Sequence, residues 1–109
     1  MHTTLTHAPC FKFQVDLYKD PELGRILVHF LDAGKPITAL CHGPVALLSA
    51  GLVRQPWPFA GRHLTVFSNA GEAVNEARWG GQLAFLPADA MAAAGGIMEE
   101  RCVPHICAA

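Results

Sequence analysis

The run Lys35-Pro36-Ile37-Thr38-Ala39-Leu40-Cys41-His42-Gly43-Pro44-Val45-Ala46-Leu47-Leu48 constrains this chain more than any other stretch. The four residues Ile37 to Leu40 read as a short strand, apolar as expected of a parallel strand buried on both faces. Cys41 and His42 follow at once, and Gly43-Pro44 opens a new apolar helix, because proline is tolerated where the first turn has no use for its missing N–H. A thiol at such a turn stands near the positive end of the helix dipole, which favours the thiolate that attacks electrophiles. Tight turns with a glycine beside the nucleophile serve hydrolases in the same way, lifting the reactive atom above the sheet edge. Cys41 is therefore expected to be a nucleophile rather than a small apolar residue that ends a strand.

Around that run the punctuation is regular. Asp20-Pro21 caps and opens a helix that carries Leu23, Ile26, Leu27, Phe30 and Leu31 at helical spacing and stops at Gly34. A second helix is expected from about Pro44 to Ala50, ending at Gly51. Residues 54–62, with Pro56, Trp57, Pro58 and Gly61, read as a loop whose aromatics need cover. His63 to Phe67 is the next expected strand, Ala70 to Trp79 a short helix, and Pro87 to Ala94 a helix stopped by Gly95-Gly96. Ile97 to Val103 is expected as an edge strand because Glu99-Glu100-Arg101 interrupts it. Strands alternating with helices imply an α/β fold with a mostly parallel sheet. His29 is expected at or near the surface and His63 at the start of a strand, while Trp57 and Trp79 read as packing residues.

These residues resemble the DJ-1/PfpI superfamily of class I glutamine-amidotransferase-like proteins, and within it the Hsp31-like branch. The resemblance rests on Val15-Asp16-Leu17, Asp20-Pro21-Glu22-Leu23-Gly24, the Ala39-Leu40-Cys41-His42-Gly43-Pro44 elbow and Leu64-Thr65-Val66-Phe67-Ser68-Asn69-Ala70-Gly71-Glu72. Gly80-Gly81-Gln82-Leu83-Ala84-Phe85-Leu86 extends it, so that residues 15–86 match best. The resemblance implies a partial flavodoxin-like parallel sheet sandwiched by helices, with Cys41 at a strand-to-helix nucleophile elbow. Cys41 falls on the family's nucleophile, His42 on the adjacent histidine and Glu72 on the acidic residue that orients it in some members. Asn69 competes for that third position, where other members carry Asp, but an amide supplies no negative charge, so Glu72 is favoured. The segment that carries the family's glutamate beside the nucleophile is expected to be missing here, and its Gly-Gly-His segment is only echoed by Leu5-Thr6-His7-Ala8-Pro9. With Ala109 as the last residue, residues 1–109 are expected to form one partial domain of the family type, with impaired activity.

Such a site needs a proton acceptor and an oxyanion pocket. His42 can serve as base if the turn folds its ring back toward the sulfur, with Glu72 on the other ring nitrogen. The oxyanion donors would be the amides of His42 and Gly43. The resemblance implies a cysteine-dependent enzyme acting on a small aldehyde such as methylglyoxal, as in glyoxalase III-type members, or on an acyl or amide substrate, and it implies no cofactor.

A net charge of −1, with eight scattered Lys and Arg residues, gives no footprint for nucleic acid or for an anionic membrane surface, so neither is expected as a partner. No apolar run approaches the roughly 18 residues that a membrane span needs. The opening Met-His-Thr-Thr is not of signal-peptide type, which points to the cytoplasm and to reduced thiols at Cys10, Cys41, Cys102 and Cys107. Two other classes of function compete. One is an inactive structural or stress-chaperone-like remnant whose apolar faces are covered by a partner or in a homodimer. The other is a small zinc domain held by His7, Cys10, Cys102, His105 and Cys107, whose spacings resemble ligand pairs.

Overall fold

The computed structural model describes residues 16–99. The Leu5–Pro9 echo, the zinc-type pairs at 7/10 and 102/105/107, and any strand beyond Met98 lie outside them. The described chain is α/β: a 3₁₀ turn at Leu17–Lys19, helix α1 (Pro21–Asp32), a ten-residue 3₁₀ segment (Gly43–Leu52), strand β1 (His63–Leu64), helix α2 (Asn69–Trp79), helix α3 (Pro87–Ala93) and strand β2 (Ile97–Met98). β1 and β2 pair in parallel, His63 with Ile97 and Leu64 with Met98.

Helix α1 forms where the local signals place it. The Asp20 side chain accepts a hydrogen bond from the Glu22 amide at 2.9 Å, satisfying one of the four donors that a helix start leaves over. At the other end Gly34 takes φ +67°, the left-handed conformation that glycine adopts freely. The Gly34 amide then reaches Leu31 O and the Lys35 amide reaches Phe30 O at 2.9 Å, the paired closure of a Schellman cap. The buried stripe of Leu23, Leu27 and Val28 packs on Val45, Ala46, Leu47 and Ala50 of the 3₁₀ segment, and Trp57, Phe59, Leu64, Val66 and Met91 complete one core. Each leucine, valine or methionine side chain among them, fully buried, is worth about 1.5–3 kcal/mol. Gly24 sets the approach of the two elements, since a Cβ there would lie 2.3 Å from the Ser49 carbonyl oxygen. Trp57 donates its indole N–H to Leu47 O at 2.7 Å, so the loop aromatic becomes a core residue with a satisfied polar edge.

Three expectations need correction. The segment after Cys41 is helical where expected, but of 3₁₀ type rather than α, with Val45 N–H bonded to His42 O and Val53 N–H to Ala50 O. The Ser49 hydroxyl bonds back to Ala46 O at 2.7 Å within this tight winding. The stretch 37–40 is not a strand buried on both faces. Only Thr38 and Leu40 make isolated bridges, and burial alternates, with Ala39 4% exposed against 50% at Leu40. Finally, the strand expected over 63–67 ends after Leu64 because the backbone changes partner. Glu99 N–H closes the ladder on Leu64 O at 2.8 Å, and Phe67 N–H then bonds Cys41 O at 3.1 Å. The described residues thus hold a two-stranded parallel sheet, not the larger flavodoxin-like one.

Candidate functional site

Cys41 is half-buried and has φ +59°, the one left-handed non-glycine residue among those described. A side chain held there costs on the order of 1–3 kcal/mol and persists only where surrounding contacts impose it. The geometry has a consequence for its neighbour. Successive side chains normally point apart, but at this turn the His42 ring folds back until Nδ1 lies 3.4 Å from Cys41 Sγ.

The other ring nitrogen is held from the opposite side. His42 Nε2 lies 2.5 Å from Glu72 Oε1, and the pair is deeply buried, with His42 3% and Glu72 0% exposed. Helix α2 delivers Glu72. Its N-cap Ser68 accepts from the Gly71 amide at 3.1 Å, which fixes the first turn and aims the fourth residue of the helix inward. Asn75, one turn on, directs its amide toward Glu72 Oε2 at 3.4 Å. An ionised carboxylate can only accept, so against an ionised Glu72 a neutral His42 carries its hydrogen on Nε2 and turns the lone pair of Nδ1 toward the sulfur. Cys41, His42 and Glu72, expected from the sequence, are brought into one line.

Asn69 is not in that line. Its amide nitrogen donates to Asp89 Oδ1 at 3.0 Å, joining the starts of α2 and α3. It borders a cavity of about 250 Å³ whose walls include Val66, Ser68, Asp89 and Met98 but none of the three aligned residues.

The Gly43 amide is spent on Leu40 O at 2.7 Å, Pro44 has no N–H, and the Val45 amide is spent on His42 O at 3.1 Å. In this turn the amides of Gly43 and Val45 are both engaged by carbonyls of the chain itself, because a tight turn takes up the donors that a wider one would leave over.

Sequence reasoning missed Phe67. Its ring stacks on the His42 imidazole, centroids 4.3 Å apart and planes 21° from parallel, while its amide bonds Cys41 O. The signal was Gly71, a glycine in the first turn of a helix where almost any other residue is more favourable. A Cβ at 71 would lie 2.6 and 2.8 Å from ring carbons of Phe67. His29 is exposed as expected, and His63 begins β1 with its Nδ1 2.7 Å from Glu99 Oε1. Trp79 is half-exposed on α2. Among the described residues no group of three or more His, Cys, Asp or Glu side chains could hold a metal, and no helix is long and apolar enough to cross a membrane.

No protein-family profile matches the chain. Individual proteins do. Over 84 residues it is 34% identical to the protein/nucleic acid deglycase HchA of Staphylococcus aureus strains JH9 and N315, and 33% identical to that of strain Newman. The alignment takes in 74% of this chain and 29% of the relatives, so the chain spans about three tenths of the length of the curated proteins it matches. Over the aligned residues the chain is a homologue of HchA, a protein of the Hsp31/DJ-1/PfpI superfamily. The HchA resemblance also corrects one expectation. Nucleic acid was excluded and the substrate confined to small molecules, yet these relatives bear the name of protein/nucleic acid deglycases. Net charge reports on sustained binding to a phosphate backbone, and it is silent about an enzyme that meets a macromolecule only at a modified group.

Proposed function

We propose that this chain carries deglycase or glyoxalase-like cysteine chemistry of the DJ-1/PfpI type, directed at a reactive carbonyl carried as an adduct on a protein or a nucleic acid. The observation that supports it most is the alignment of Cys41 Sγ, His42 and Glu72, with gaps of 3.4 and 2.5 Å, at a strained turn. Cys41 is the nucleophile, His42 the base and Glu72 the group that fixes its tautomer and orientation. HchA, similar over most of this chain, is named for the removal of such adducts.

The first step needs nothing beyond these residues. Nδ1 of His42 takes the thiol proton, and the imidazolium formed is held by the Glu72 carboxylate. The sulfur lone pair then forms a C–S bond to the carbonyl carbon, and the C=O π pair moves to oxygen. That oxygen recovers the proton from Nδ1, giving a thiohemiacetal with atoms and charge balanced. With the Gly43 and Val45 amides engaged within the turn, the imidazolium supplies positive charge beside both the thiolate and the new oxyanion.

The test uses a lysine peptide and a guanine nucleotide, each pre-reacted with methylglyoxal. Recovery of the unmodified amine should be faster with the chain than with buffer, and Cys41→Ser should abolish the gain. Equal recovery with Cys41→Ser would overturn the reading.

A further inference from the structure

We propose that Phe67 is a positioning residue that holds the His42 imidazole in line with Cys41 Sγ, and that Gly71 exists to admit its ring; this rests on the reading of Cys41 and His42 as nucleophile and base. The torsion that turns an imidazole about its attachment is broad and weakly restrained on its own. One hydrogen bond to Glu72 fixes the position of Nε2 but leaves the ring plane free to rock about that contact, carrying Nδ1 away from the sulfur. A flat aromatic face 4.3 Å away and nearly parallel removes that freedom.

Phe67 is itself located twice. Its amide is bonded to Cys41 O at 3.1 Å, so the ring that orients the base hangs from a backbone tied to the nucleophile. On the side of α2 its ring lies against Gly71, closer than any Cβ would permit at 2.6 and 2.8 Å. Glu72 follows Gly71 directly, so a single helical turn, capped by Ser68, supplies both the floor under the stacking ring and the acid on the imidazole. Nucleophile, base, acid and stacking ring thus form a closed circuit through residues 41–42 and 67–72.

Phe67→Leu, Phe67→Tyr and Gly71→Ala separate positioning from general structure. The ring current of a stacked phenyl group shifts the His42 ring-proton resonances upfield. Phe67→Leu should return them toward the values of a histidine in a short peptide and slow iodoacetamide alkylation of Cys41 about tenfold, within the range that small misplacements of reacting groups produce. Phe67→Tyr, which keeps the aromatic face, should preserve both. Gly71→Ala should move the resonances and slow alkylation with unchanged far-ultraviolet circular dichroism, and it carries the test if Phe67→Leu fails to fold. A Phe67→Leu chain that loses the upfield shift yet alkylates at the wild-type rate would overturn the proposal, as would resonances that do not move at all. If wild-type Cys41 reacts no faster than a cysteine in a short peptide, the enzymatic reading fails, while the resonances still decide whether Phe67 holds the imidazole.

Discussion

The contact between α1 and the 3₁₀ segment and the cluster around His42 lie side by side in the chain but are held by different physics. In the first, Leu23, Leu27 and Val28 meet Val45, Ala46, Leu47 and Ala50, and the stabilisation comes from burial and dispersion, which are non-directional. In the second, a buried acid, an imidazole, a thiol and a phenyl ring depend on angles and on tenths of an ångström. The two share the 3₁₀ segment, whose apolar body belongs to the core and whose first residues follow Cys41 and His42. The core therefore sets how stable the chain is, and the cluster sets what Cys41 can do.

That division can be broken from either side. The largest effect is expected at Glu72. Glu72→Ala leaves His42 buried beside an empty site and should lower stability by about 3 kcal/mol or more, as loss of one partner of a buried pair does. The same change should slow Cys41 alkylation near pH 6 by about 10², the lower end of what a positioned general base contributes. A stability loss with unchanged alkylation would show that the pair is structural only.

Leu27→Ala in the core should cost about 2–5 kcal/mol in denaturant unfolding. Under conditions where the variant is folded, the alkylation rate of Cys41 should stay within about twofold of wild type if core and cluster act as independent sites. A tenfold fall in that rate would mean that core packing itself positions the site.

The smallest effect is expected at the surface. Arg54 grips Asp32 with two hydrogen bonds of 2.8 Å, joining the end of α1 to the chain beyond the 3₁₀ segment. Those bonds hold the Asp32 carboxyl below its ordinary value, with charge attraction from Arg54 and His29 adding to them. Since the folded value lies below the unfolded one, the contribution is fully present above about pH 4, the ordinary aspartate range, and fades as pH falls through the lowered value. Asp32→Asn should lower the melting temperature slightly at pH 7, and the gap should close in acid. A gap that widens in acid would reverse the sign.

What the sequence showed divides along the same line. Asp20-Pro21, Gly34 and the spacing of Leu23 and Leu27 determine α1 through contacts within a few residues, so its bounds were legible. The convergence of Cys41, His42 and Glu72 was legible only through the family resemblance, because thirty residues separate His42 from Glu72. Three features were not legible. The Gly43 amide is consumed by Leu40 O, Phe67 abandons the sheet for Cys41 O, and its ring turns onto His42. Each is a choice among partners made in three dimensions, and an aromatic in an apolar run reads as core in every case. The one local trace was Gly71, an unfavourable residue in a helical turn, whose reason lies in the ring packed against it.

The most direct measurement is site-resolved iodoacetamide labelling of the whole chain at pH 6, with the rate at each of the four cysteines read by peptide mass spectrometry in wild type and in His42→Ala. If the imidazole is what activates the thiol, Cys41 should label fastest in wild type, ahead of Cys10, Cys102 and Cys107, and should lose that lead in His42→Ala. A Cys41 that labels more slowly than any of the other three, or one whose lead survives the loss of His42, would contradict the assignment of His42 as its base.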